Sequence, residues 1–221
     1  FKPTDYYKIH SRINLNGEFL EAECRTETVT PQMYNNTGFL RKEDAAAFRQ
    51  SLPPQLVIED VEIKQEKKNA PLLYNLAELQ SACSRALHIS PDKTLESAQR
   101  LYEAKLTTYP RTDARVLSSA IASEISNNIR GLGQISPNMQ GLVDNILASN
   151  PERIADTKYT DDSKITDHYA IIPTGECLYA MQTLNEQDKA VFKLIVARFL
   201  AIFMPPAVYK KVKLTENANG Q

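Results

Sequence analysis

The residues best suited to chemistry lie in one short run, Thr107-Thr108-Tyr109-Pro110-Arg111-Thr112-Asp113. Pro110 disfavours helical backbone at Tyr109, so the phenol is expected in extended chain just past a helix end. In extended chain, residues two apart face the same way, so Tyr109, Arg111 and Asp113 are expected along one surface. Arg111 offers a planar, always charged fork that matches phosphate oxygens. A phenol beside such a group suits attack on a phosphodiester. A free phenol loses its proton only near pH ~10, so this nucleophile needs a cation or a base nearby. His168 is the histidine in a suggestive setting, between a polar stretch and Ala170-Ile171-Ile172-Pro173, whereas His10 and His88 read as surface or packing residues.

The elements that must position these groups are helices. Asn75 with Glu78 three residues on forms a capping box for a helix in which Leu76, Leu79, Cys83 and Leu87 share a face. Ser90-Pro91 opens the next helix with a cap and an N1 proline, and Leu95, Ala98, Leu101 and Tyr102 form its expected buried stripe. That helix runs directly into the tyrosine segment. Ser118 to Ile129 is expected as one helix ended by Gly131 and Gly133, Ser136-Pro137 starts another, and 156–167 is expected to be polar and mobile. Asn185 with Asp188 caps the last long helix, which ends at Met204-Pro205-Pro206.

Around this helical part the pattern is β-rich. Asn16-Gly17 between alternating segments marks a hairpin over residues 5–26, and 44–52 reads as a short helix before Pro53-Pro54. Residues 56–65 read as a strand half-buried through Val57, Val61 and Ile63, and a further strand begins at Val208. We therefore expect an α+β fold, mainly helical: 1–68 and 206–221 from a β-rich domain, and 69–205 a helical insertion. The start at Phe1-Lys2-Pro3, almost inside a strand, and the polar stub 216–221 give the expectation of a segment of a longer protein.

Composition narrows the function. The chain has 221 residues, 42% hydrophobic and 24% charged, with a net charge of −1, so contact with nucleic acid must rest on a local patch. Cys24, Cys83 and Cys177 lack partners at zinc spacing and are expected as reduced thiols in a cytoplasmic protein. No apolar run approaches the length of a membrane span. Seven glycines and no Walker-type run argue against nucleotide binding.

Tyr109-Pro110-Arg111-Thr112-Asp113, preceded by Gln99-Arg100-Leu101-Tyr102-Glu103-Ala104, resembles the active-site segment of type IA DNA topoisomerases. Asp167-His168-Tyr169-Ala170-Ile171-Ile172-Pro173-Thr174 resembles the same family's histidine motif. The wording Tyr-Pro-Arg and Ala-Ile-Ile-Pro-Thr is closer to the topoisomerase III branch. The resemblance implies Tyr109 as nucleophile, forming a 5′-phosphotyrosine link that a sugar hydroxyl later displaces without ATP. It implies Arg111 as the clamp on the attacked phosphate and His168 as a hydrogen-bonding or charged contact to it. Gln99, Arg100, Glu103 and Thr108 match positions along the nucleotide path, and Arg100 reads equally as a solvated helix residue. Asp113 is assigned to holding Arg111 or shaping the turn. Tyr169 stands where the topoisomerase III branch often has a second histidine, which leaves that position without an assigned role.

The resemblance also implies a winged-helix-like helical domain carrying the tyrosine, inserted in a β-rich gate domain, with single-stranded DNA as partner and a nucleoid setting. The family's Mg2+ is expected to be held by the Asp-x-Asp-x-Glu cluster of a Toprim domain, and neither that cluster nor the family's N-terminal Lys motif is found here; Asp161-Asp162 is at best a weak cation site. No metal ligands are therefore assigned in this chain, and alone it is expected to be inactive. The rival reading is a non-catalytic winged-helix DNA-binding module. A tyrosine recombinase lacks its His-x-x-Arg here, and a rolling-circle nuclease its His-x-His pair; a helical interaction scaffold would show no affinity for DNA.

Overall fold

Asn14 and Gly17 build a hairpin near the start of the sequence. The Asn14 side chain accepts from the Gly17 N–H at 2.9 Å, and Gly17 takes φ +94°, which costs a residue without Cβ little. The flanking strands β2 (His10–Leu15) and β3 (Glu18–Glu23) pair antiparallel with Ile13 opposite Leu20. These observations come from a computed structural model, which describes residues 3–15, 17–26, 28–53 and 57–217. Parts of the expected features at Phe1-Lys2, Asn16, Pro54, Leu56 and 218–221 lie outside the described residues.

The fold is α+β, about 47% helical with small sheets. By its contacts the chain divides into two units, residues 1–66 with 210–221, and residues 67–209. In the first, β1 (Tyr7–Lys8), β5 (Gly38–Phe39) and β4 (Met33–Asn35) form a three-stranded sheet beside α1 (Lys42–Ser51). Met33, Phe39 and Ala45 are its buried centre, with Ile9 and Phe48 packed against them. The long strands β6 (Val57–Lys68) and β7 (Ala207–Asn217) pair with each other, and the boundary between units falls within both. The strands thus form three separate sheets. β6 is not half-buried as expected, because Val61 and Ile63 are 51% and 54% exposed, with only the β7 partner and no covering layer among the described residues.

The second unit holds the larger core. α2 (Leu76–Leu87) starts at Asn75, whose side chain accepts from Glu78 N–H, and α3 (Pro91–Glu103) starts at Ser90 with Pro91 at its first position. Leu79 and Cys83 of α2 and Ala98 and Leu101 of α3 are fully buried. The buried face of α3 continues through Thr94 and Ser97, at helical spacing, and leaves Tyr102 41% exposed. Tyr102 is therefore not a core residue. α7 (Glu186–Ala201), capped by Asn185, brings Val191, Phe192, Ile195 and Phe199 against α2 and α3.

Two further expectations are corrected. Residues 118–129 are not one helix: α4 (Ser119–Ser123) and α5 (Ile125–Leu132) are separated at Glu124, whose φ of −115° and ψ of 11° leave the helical region. Both halves pack on the 151–156 turn, and α5 packs in addition on α6 (Pro137–Ala148). Gly131 lies inside α5 instead of ending it. The 156–162 stretch is not loose either. Leu117 N–H donates to Tyr159 O at 2.8 Å, Asp161 N–H to Leu117 O at 3.1 Å, and the buried Tyr159 hydroxyl to Ala70 O at 2.6 Å. Among the described residues no helix is long and apolar enough to cross a membrane.

Candidate active site

α3 ends at Glu103, and the chain turns through Lys105 in left-handed backbone, φ 59°. It then runs extended alongside the histidine segment. Thr108 N–H donates to Ile172 O at 3.0 Å and Thr174 N–H to Leu106 O at 3.0 Å, an antiparallel bridge centred on Thr107 and Pro173. Two threonine hydroxyls complete the join. Thr108 Oγ1 donates to Ala170 O at 3.0 Å and accepts from Ile172 N–H at 3.0 Å, while Thr112 Oγ1 donates to His168 O at 2.7 Å. Ala170, Ile171 and Ile172 are buried, so these bonds satisfy backbone groups that water does not reach.

The join sets the site. The Tyr109 ring lies 4.6 Å from the His168 imidazole, centroid to centroid, and meets Tyr102 edge-on at 5.3 Å. Tyr102, Thr108, Tyr109 and His168 line one open cleft of about 350 Å3, together with Lys105, Thr107, Tyr169, Thr174 and Glu176. Tyr169 is half-buried, and burial pushes its phenol up. Along 109–114 burial alternates: Pro110, Thr112 and Ala114 are buried, while Arg111 and Asp113 are exposed and Tyr109 is half-buried. That is the period of extended chain.

Not every candidate joins the cleft. Arg111 and Asp113 are exposed and make no ion pair with one another, so Asp113 does not hold Arg111; an exposed pair so close in sequence contributes little. The Asp113 carbonyl instead accepts from the Asn75 side-chain amide at 3.1 Å. Gln99 and Glu103 share a face as expected and bond to each other at 3.0 Å. Arg100 grips Asp188 with both Nε and Nη2, at 2.7 and 2.8 Å, and so ties α3 to α7. Burial by itself raises the Asp188 carboxyl; the guanidinium, with Ser97 and Asn185, outweighs it and holds the group below its ordinary value. Of the acidic doublet, Asp161 turns to Lys164 and Ser163, and Asp162 caps Ser119. Among the described residues no three His, Cys, Asp or Glu gather as a metal site.

The family model for DNA topoisomerase matches residues 1–221. The chain belongs to the type IA DNA topoisomerase family. It is 39% identical to DNA topoisomerase 3 of Bacillus licheniformis over 166 residues, 75% of this chain and 22% of that protein. It is 36% identical to DNA topoisomerase 3 of Bacillus subtilis over 224 aligned residues, 100% of this chain and 29% of that protein. The chain thus spans under a third of the length of these relatives. The full-length topoisomerase I of Thermotoga maritima shares its fold, with a TM-score of 0.60 at 23% identity over 97% of this chain and 32% of the other.

Within this topoisomerase segment, reasoning from sequence missed Lys105, Thr107, Thr174 and Glu176, and placed Tyr102 in the core. The signal available for Tyr102 was its position one residue past Leu101 on α3, at the edge of the stripe. For Lys105 it was the abrupt end of helical periodicity at Ala104.

Proposed function

We propose that this chain carries the nucleophile of a type IA topoisomerase that cuts and reseals single-stranded DNA. The Tyr109 oxygen attacks a backbone phosphorus, the P–O3′ bond breaks, and the 3′ oxygen takes up a proton as the phenol loses one. The strand end is then held as a 5′-phosphotyrosine diester. After another strand has passed, the 3′ hydroxyl attacks the same phosphorus, the phenol leaves with a proton, and the strand is whole. Both steps exchange one phosphate ester for another, so neither needs ATP. Arg111 neutralises charge on the phosphate oxygens and His168 donates to them. The observation that carries this reading is the ring contact of Tyr109 with His168 at 4.6 Å, at the wall of an open cleft, in a chain that the family model matches over residues 1–221.

The described residues do not fit a Mg2+ site, since the acidic doublet is engaged within its own loop and Ser119. In our reading the metal ligands lie outside them, in further domains of the whole protein, and no step above runs through a metal. We also infer that 69–205 acts as a winged-helix-type unit, with α2 and α3 followed by extended chain, and that 1–68 and 206–221 belong to a β-rich gate.

The test is a denaturant-stable protein–DNA adduct on end-labelled single strands, in the full-length protein that carries this chain. Tyr109→Phe keeps the ring and removes only the oxygen, so the adduct should vanish while non-covalent binding stays. Arg111→Lys should impair cleavage by losing the two-pronged grip, and His168→Ala should slow it less than Tyr109→Phe stops it. Adduct persisting in Tyr109→Phe, or protein attached through a 3′ phosphate, would refute the reading; no adduct in wild type, with DNA binding unchanged in Tyr109→Phe, would favour a non-catalytic DNA-binding module.

A further inference from the structure

Lys105 stands in the cleft in a backbone conformation that does not suit it. At φ 59° a side chain with a Cβ is disfavoured relative to glycine. The turn is nonetheless held from both sides. Lys105 N–H donates to Tyr102 O at 2.8 Å, its carbonyl accepts from Thr174 Oγ1 at 2.6 Å, and Leu106 N–H donates to Leu101 O at 2.9 Å. These are backbone demands that glycine or asparagine meets better than lysine, so the turn explains the conformation and leaves the side chain unexplained. An uncommon conformation kept at the rim of a cleft calls for a functional account.

What lysine adds is an ammonium on the wall shared with Tyr109 and His168. Lys105 is exposed, and among the described residues it makes no ion pair, the cleft's own carboxylate Glu176 included. Thr107, on the same wall, is 2% exposed, and its hydroxyl has no hydrogen-bond partner. The cleft wall therefore carries a cation that no carboxylate pairs with among the described residues. Arg111 and its fork do not line it.

We propose that Lys105 binds a backbone phosphate of the single strand that Tyr109 attacks, next along the chain from the attacked one, and so sets where the strand lies in the cleft. This rests on the function proposed above. Lys suits the role as a compact point charge on a long stem, needing no planar partner.

Glycine separates the two demands on this position, because Lys105→Gly removes the cation and eases the backbone. In the full-length protein, Lys105→Gly should leave Tm unchanged or raise it by about 2–4 °C. Affinity for a labelled single-stranded oligonucleotide at low salt should fall about fivefold, the upper range for an exposed ion pair. The plot of log affinity against log salt should become shallower by about 0.7, one phosphate contact on a single strand. Lys105→Arg should retain both affinity and slope. Lys105→Gly with wild-type slope and affinity overturns the proposal, as does a lowered Tm in both Lys105→Gly and Lys105→Asn, which would make the lysine structural. Unchanged Lys105→Gly binding alongside a wild-type adduct that needs Tyr109 sinks this inference alone; a missing adduct in wild type sinks the function it rests on.

Discussion

Asp188→Asn should destabilise the helical unit by about 2–3 kcal/mol at neutral pH. Asp188 is 1% exposed and accepts two hydrogen bonds from the Arg100 guanidinium, at 2.7 and 2.8 Å. Asparagine keeps the volume and one acceptor but sets an amide N–H2 against the other guanidinium donor. A hydrogen bond to a charged group contributes about 1.5–3 kcal/mol, and an acidic residue in the first helical turn about 0.5 kcal/mol more. The full cost of breaking a buried ion pair, about 3–5 kcal/mol, does not apply, because the Arg100 side chain is 43% exposed and water can take over its donors. The cap of α7 is untouched, since it uses the backbone N–H of residue 188. For a unit of this size the loss corresponds to a Tm drop of about 4–12 °C.

The same carboxyl supplies a pH signature. Its folded value lies below the ordinary one, so folding releases a proton from it; its contribution is complete above pH ~3.9, the unfolded value, and is lost as pH falls through the lower folded value. The gap between wild type and Asp188→Asn, measured by urea unfolding, should be constant from pH 7 to about 5 and close below that unfolded value. Wild-type stability in Asp188→Asn at pH 7, or a gap that stays open in acid, would refute the argument. Arg100→Ala should weaken oligonucleotide binding less than twofold, because the guanidinium already serves Asp188.

Other outcomes follow from the packing. A Cβ at Gly131 would collide with the carbonyl oxygen of Gly175, so Gly131→Ala should cost about 1–3 kcal/mol and displace the 174–176 wall of the cleft, read as lower adduct yield with intact Tyr109. Thr108→Val should cost about 2–3 kcal/mol in chemical denaturation, since Ala170 O and Ile172 N–H both lose a partner in a buried place. Residues 1–221 alone should relax no supercoiled plasmid in a gel assay with Mg2+, for want of an acidic cluster among the described residues; steady relaxation free of contaminating enzyme would contradict this.

Helix starts were legible because capping is local: Asn75, Ser90, Ser136 and Asn185 each accept from a backbone N–H three residues on, as their spacing announces. The hairpin register likewise follows from alternation and a two-residue turn. Helix interiors were less legible. The break at Glu124 has no Pro or Gly to mark it, and only α5 goes on to pack against α6. Nor does a local pattern tell a polar loop that is tied down from one that is free, and 156–162 is held by Leu117 and Ala70 from distant parts of the chain.

The candidate site divides in the same way. From sequence alone come the two motifs, the extended backbone imposed on Tyr109 by Pro110 and the outward pair Arg111 and Asp113, because each depends on neighbours within a few residues. Tertiary structure alone brings Tyr109 to His168, through hydroxyls of Thr108 and Thr112 whose partners lie 62, 64 and 56 residues away. It alone turns Tyr102 out of the core and onto the Tyr109 ring, and commits Arg100 to Asp188 across 88 residues. It alone sets Lys105 in left-handed backbone, since that turn is held by Thr174 from another segment. A residue's type and period say what it can bond to. Which partner it meets depends on how distant segments pack, and no local pattern carries that information.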